Sequence, residues 1–273
     1  MINKDKINRA MERLDLNEYY DLLHLKENKQ DYVCASFLKG INYDVQDCRL
    51  LLIGRALNGW IEKFSKENNA EELLKLWQKH EENGNTMEYR CYWNKDSKQY
   101  EGVTEGEYSK GLNWVNTYIP KGNRHYLTAK KAFWKCGKYA FEFLTKNENA
   151  EDFYKKIAWT NLFKLSPTSG GNPEGAIWNE QIKYCKSILE KEIEILNPTH
   201  ILIVAKTNIK NKSKPEDAWV SPFYDILKNV DKNIKIAIIH RPEQRKFGEI
   251  EEEIRNGFVK TKIKEILNCE SKV

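Results

Sequence analysis

Long apolar runs are missing from this chain: stretches such as Leu50 to Ile53 and Ile201 to Ala205 fall far short of the roughly 20 residues that span a bilayer. No membrane-crossing segment is expected. The charged start, Met1-Ile2-Asn3-Lys4-Asp5, lacks the apolar core and small-residue cleavage site of a secretory signal. Cysteine is sparse and scattered: Cys34, Cys48, Cys91, Cys136, Cys185 and Cys269 include no Cys-x-x-Cys pair. That spacing argues against a zinc ribbon, a disulfide framework or an iron-sulfur site, and a reducing cytoplasm is the expected location. Neither the Gly-Lys-Ser/Thr ending of a phosphate-binding loop nor a dinucleotide fingerprint occurs, so nucleoside triphosphate hydrolysis and nicotinamide chemistry are poor candidates. An excess of one charge is also lacking. With 45 basic and 40 acidic side chains, the formal charge of +5 is compatible with a polyanionic partner and equally with an ordinary lysine-rich surface.

What is present suffices for a folded core. At 273 residues, 40% of them hydrophobic and 12% aromatic, the chain can bury about three quarters of its unfolded surface without disulfides or metal. A single domain spanning 1–273 is expected, with amphipathic helices within 1–48 and an aromatic-rich insertion at about 61–145. In the N-terminal part, Ile7, Met11, Leu14, Tyr19, Leu22 and Leu23 recur at helical spacing. Arg49 to Ile53 reads as a strand buried on both faces, and Ile157 to Thr160, Ile201 to Ala205 and Ile234 to Ile239 read as further strands. Helices are expected over Glu71 to His80, Tyr126 to Leu144, Gly175 to Leu196 and Pro222 to Val230, with a last one carrying Ile250, Ile254, Phe258, Ile263 and Leu267. Strands alternating with helices give a parallel sheet with right-handed crossovers and helices on both faces. In the insertion, Tyr89, Tyr92, Trp93, Tyr100, Trp114 and Tyr118 form either a base-stacking surface or a small satellite core or hairpin.

Ligands of open parallel sheets bind beyond the carboxyl ends of the strands. Three such ends carry informative residues: Gly54 to Trp60, Asn161 to Pro173 and His240 to Arg245. Gly54 either permits close backbone approach to a ligand or is a turn residue. Asn161 carries a carboxamide that both donates and accepts, which suits the edge of a nucleobase; its other reading is a local loop tie. His240 can donate to an oxygen that gains negative charge in a transition state, or be a satisfied histidine at a strand terminus.

Taken in order, these segments resemble the uracil-DNA glycosylase superfamily. Gly54-Arg55-Ala56-Leu57-Asn58 stands in the place of that family's first motif, Trp159-Thr160-Asn161-Leu162-Phe163-Lys164 with Gly171-Asn172-Pro173 resembles its base-reading segment, and Ile239-His240-Arg241-Pro242 resembles its histidine motif. The resemblance implies a three-layer α/β/α sandwich around a mainly four-stranded parallel sheet, and cleavage of the N-glycosidic bond of a damaged or deaminated base flipped out of DNA. It implies that Asn161 binds the base edge beside Gly54, that Trp60 or Phe163 stacks on the base, and that His240 stabilises the departing base. Lys164, Arg241 and Arg245 then contact phosphate or are ordinary solvated charge. No cofactor or metal is implied, and a monomer is favoured.

The first motif departs from the family pattern. Where many relatives place Asp, Asn or Glu, this chain has Arg55 and Ala56, and Leu57 replaces the usual proline. Asn58 is then the candidate for positioning water, although a neutral carboxamide is a weak general base. Two alternatives follow: a non-catalytic nucleic-acid-binding protein of the same fold, or a hydrolase acting on a free nucleoside.

Overall fold

The computed structural model describes residues 16–23, 25, 32–34, 36–56, 91–94, 97–102, 111–121, 124–147, 150–167, 172–206 and 217–241. In chain order the elements are α1 (Leu16–Leu23), β1 (Tyr32–Cys34), β2 (Leu38–Lys39), β3 (Leu50–Gly54), β4 (Cys91–Asn94), β5 (Gln99–Gly102), β6 (Tyr118–Lys121), β7 (Arg124–Leu127) and α2 (Ala132–Thr145). There follow β8 (Ala158–Asn161), β9 (Leu165–Pro167), α3 (Gly175–Leu196), β10 (His200–Lys206), α4 (Tyr224–Asn229) and β11 (Lys235–His240). The chain is an α/β protein. None of the described helices is long and apolar enough to cross a membrane.

The central sheet has the order β11-β10-β3-β8-β2. Its first four members are parallel to one another, and β2 is antiparallel to β8. The four apolar runs expected as strands therefore pair side by side, and the sheet is mixed because a fifth, two-residue strand adds at the edge. Every residue of β3 is buried, as strands covered on both faces require.

The two large helices meet opposite faces of neighbouring strands. Gly137 of α2 lies so close to β3 that an added Cβ would come within 2.8 Å of Leu52 Cδ2. Leu52 is paired with Trp159, whose indole meets Trp134 of α2 at 5.7 Å and Trp114 at 5.8 Å between ring centroids. Successive side chains alternate across a strand. Thr160 accordingly points the other way, and its hydroxyl reaches Glu192 of α3.

Described residues within the expected insertion at about 61–145 are buried with the sheet. Trp114, Val115, Trp134 and Phe141 are buried in the same cluster as the sheet residues. The helix expected from Tyr126 starts only at Ala132, because Tyr126 and Leu127 are taken by an antiparallel ladder with Ile119 and Tyr118. That ladder belongs to a four-stranded antiparallel sheet, β5-β4-β6-β7. A further antiparallel pair, β1 with β9, lays Cys34 opposite Leu165. The expected helices at Glu71 to His80 and after Arg245, and the N-terminal part before Leu16, lie outside the described residues.

Helix α3 runs over the residues its periodicity predicts and ends at Asn197, which adopts the left-handed conformation with φ 43°. Its buried stripe includes two polar positions, Gln181 and Glu192, beside Cys185, Ile188, Leu189 and Ile193. Ile182, expected on that stripe, is only partly buried.

Candidate active site at the carboxyl rim of the sheet

From β3 the chain crosses to β8 on one side and later returns to β10 on the other. The carboxyl ends of β3 and β10 therefore flank a topological switch point, the usual position of a ligand crevice in a parallel sheet. On the other side of β3, Gly54 and Asn161 face each other as the last pair of the β3–β8 ladder. Pairing continues into the loops, with Leu162 N–H donating to the Gly54 carbonyl and Phe163 N–H to that of Arg55, both at 2.9 Å.

The role of Gly54 follows from what surrounds it. A Cβ there would collide with Asn161 Oδ1 and approach Phe133 Cε2 to 3.3 Å. Glycine is required so that the Asn161 carboxamide can lie across the strand end. Asn161 is 5% exposed, so it is a buried polar group at the rim and not a loop residue in solvent.

His240 closes β11, half-buried, opposite Lys206 in the parallel ladder. It shares the carboxyl rim with Asn161. Three strand spacings separate β8 from β11, about 14 Å of sheet. The two residues therefore face a common edge without touching. Arg241, one residue further, is exposed, and its N–H donates to the Lys206 carbonyl at 3.0 Å.

Between them sits Arg55. The β10–β11 register slips between Val204 and Lys206, leaving Ala205 out of that pairing. The Arg55 guanidinium takes up the carbonyl released there: Nε donates to Ala205 O and Nη2 to Lys206 O, each at 2.7 Å. The same guanidinium lies 5.3 Å from the centroid of Trp219, a cation–π contact that adds to its fixation. Arg55 is thus a staple across the switch point.

Two predicted site residues are displaced from the roles expected of them. Phe163 is fully buried, with Trp178 stacked on its ring at 4.1 Å and Trp219 and Phe223 edge-on at 5.4 Å. It is an aromatic core residue and presents no face to a base. Lys164 is also fully buried and cannot reach a phosphate. Its three ammonium protons go to Glu192 Oε2 at 2.6 Å, Asn161 O at 2.7 Å and Thr160 Oγ1 at 2.8 Å. Asn58, Trp60 and Arg245 lie outside the described residues.

The lysine is part of a node that sequence reasoning missed. Thr160 donates to Glu192 Oε2 at 2.7 Å, and Tyr19 of α1 donates to Oε1 at 3.0 Å. Burial, then the nearby Glu192 carboxylate, holds the Tyr19 hydroxyl well above its ordinary range. Cys185 lines the same region, accepting from Lys164 N–H at 3.4 Å, and burial pushes its thiol up to about 12. Cys34 is likewise raised, first by burial and then by Cys185. The sequence did carry a signal: Lys164 interrupts the apolar run Leu162-Phe163-Lys164-Leu165, and Glu192 falls four residues after Ile188 and four before Leu196 on the buried stripe of α3.

At the opposite end of the sheet, Thr199 Oγ1 lies 2.9 Å from His200 Nδ1, and Cys48 Sγ lies 3.7 Å from it. Burial pushes the Cys48 thiol up to about 11, which disfavours the nucleophilic thiolate. Among the described residues, no group of three or more His, Cys, Asp or Glu side chains is placed to hold a metal ion. In comparison with known proteins, the chain matches no family model and no curated protein sequence.

Proposed function

We propose that the protein is a DNA glycosylase-like enzyme, built as a three-layer α/β/α sandwich, that cleaves the N-glycosidic bond of a damaged or deaminated base in DNA. The observation that carries this reading is the carboxamide of Asn161, buried at the carboxyl rim beside a glycine that leaves space for it. A buried carboxamide at the carboxyl end of a strand can pair with a base edge, and a partner lacking the matching groups is strongly rejected. His240 stands on the same rim, about 14 Å of sheet away from Asn161. In this reading its imidazole donates to the base oxygen as negative charge develops there. Arg241 is the exposed candidate for a phosphate contact.

Arg55 favours a second reading, binding without turnover. Its guanidinium occupies the first-motif position and is tied to two main-chain carbonyls, where a carboxylate would serve a water-activating role. One experiment separates the readings. Oligonucleotides containing deoxyuridine, deoxyinosine or other lesions are incubated with the protein and treated with alkali. Strand scission in the wild type, abolished by both His240→Ala and Asn161→Ala with folding intact, is the expected result for the enzyme. Salt-sensitive binding without scission on any substrate supports the second reading, and absence of both rejects the two together.

A further inference from the structure

We infer that the buried Lys164, Glu192, Thr160 and Tyr19 form a positioning device that fixes Asn161 for base recognition. The inference rests on the reading of Asn161 as the residue that contacts the base. None of the four touches the rim as a catalytic residue; they act through the backbone that carries the carboxamide.

The four side chains are joined by directed hydrogen bonds. Lys164 Nζ donates to the carbonyl of Asn161, to the hydroxyl of the preceding residue and to Glu192. Glu192 receives Thr160 and Lys164 on one oxygen and Tyr19 on the other. All three ammonium protons and both carboxylate oxygens are engaged, with Lys164 and Glu192 each 0% exposed. The last two residues of β8 are thereby held from beneath by α3, through Glu192, and indirectly by α1, through Tyr19. On its other side, the Asn161 carboxamide oxygen lies where a Cβ on residue 54 would stand.

Stability alone is a poor reason for such a node. Desolvating two charges is costly, and buried ion pairs are often replaceable by packed apolar residues without loss of stability. What an apolar replacement cannot do is hold the Asn161 carbonyl by a directed hydrogen bond. Misplacing a functional group by about 1 Å can cost on the order of 100-fold in rate. The node therefore reads as an orientation device, with Lys164 as its centre.

The test replaces the whole node at once, so that neither charge of the buried pair is left without its partner: Tyr19→Phe, Thr160→Val, Lys164→Met and Glu192→Leu in the full chain. Binding is measured by fluorescence anisotropy on two oligonucleotides that differ only in one deoxyuridine or thymidine. The wild type prefers the deoxyuridine strand, and the folded quadruple variant loses on the order of 10- to 100-fold of that preference while keeping its salt-dependent affinity for both strands. An undiminished preference in the folded variant overturns the inference. A wild type with no preference overturns the base-reading role itself. The positioning claim is then decided by the Asn161 side-chain amide resonances, assigned by their loss in Asn161→Asp. Shifted and broadened side-chain signals in the quadruple variant, with the Leu52 backbone amide unchanged, uphold it, and unaltered ones reject it. Should the quadruple variant fail to fold, Thr160→Val alone, which leaves the ion pair in place, takes its position in both measurements. A reduced preference, or shifted Asn161 signals where the wild type has no preference, then upholds the inference, and unchanged values overturn it.

Discussion

Gly54 illustrates how much a single absent side chain decides. Its Cβ position is occupied by Asn161 Oδ1 and bounded by Phe133, so Gly54→Ala is expected to destabilise the fold by about 1–3 kcal/mol through overpacking. Urea denaturation measures that loss. In the double variant Gly54→Ala/Asn161→Ala the oxygen is gone, and a substantial part of the loss should be recovered; simple additivity of the two single effects would show that the contact is not the cause. From sequence, Gly54 was readable only as a turn residue or a point of close approach, because the neighbour that requires it lies 107 positions away in the chain. Lys164 shows the same limit from the other side. Lysine is ordinarily solvated, and only the acceptors contributed by β8 and α3 make its burial possible.

Among the elements, the parallel strands β3 and β10 were legible because burial on both faces imposes continuous apolar runs, and β11, buried at Ala237 and Ile239, because its run is apolar as well. Leu50 to Ile53 and Ile201 to Val204 are each at most 1% exposed. Helix α3 was legible to its last residue, since its apolar spacing and the following Asn197-Pro198 agree. The short strands were not. Leu38–Lys39 and Tyr32–Cys34 pair only with segments more than a hundred residues away, and a strand of two or three residues carries no period to detect. The end of α2 offers a test of local backbone cost. Lys146 caps it with φ 53°, in the left-handed region, which costs a non-glycine residue about 1 kcal/mol. Lys146→Gly should therefore raise the urea midpoint, by a stability gain of up to about 1 kcal/mol at constant slope.

At the scale of the whole molecule, stability should depend on acidity through His200, at the amino end of β10. Burial, and secondarily Lys235, lowers its imidazole from the ordinary range. The folded protein thus takes up that proton less readily than the unfolded chain does. Above about pH 6.5 both states are neutral at this position and its contribution is intact. As pH falls below that value the unfolded state binds the proton first, and stability declines until the folded imidazole also protonates. His200→Gln is expected to flatten the thermal midpoint between roughly pH 7 and 5, and an unchanged profile would assign the acid sensitivity elsewhere. The candidate site is less legible than the fold at this scale. The order Gly54, Asn161, His240 along the chain indicated a shared rim, whereas the staple made by Arg55 depends on a register slip at Ala205 that no sequence period announces.

The hydroxyl of Tyr19 has a practical bearing on where this chain can be cut. It ties α1 to Glu192 Oε1, and α1 packs along α3. A shortened form starting after Leu23 would retain every strand of the central sheet, yet it would uncover one flank of α3 and take a donor from an interior carboxylate. Such a form should be recovered mainly as aggregate, while the full chain should remain in solution, a difference that size-exclusion chromatography of the two products would reveal.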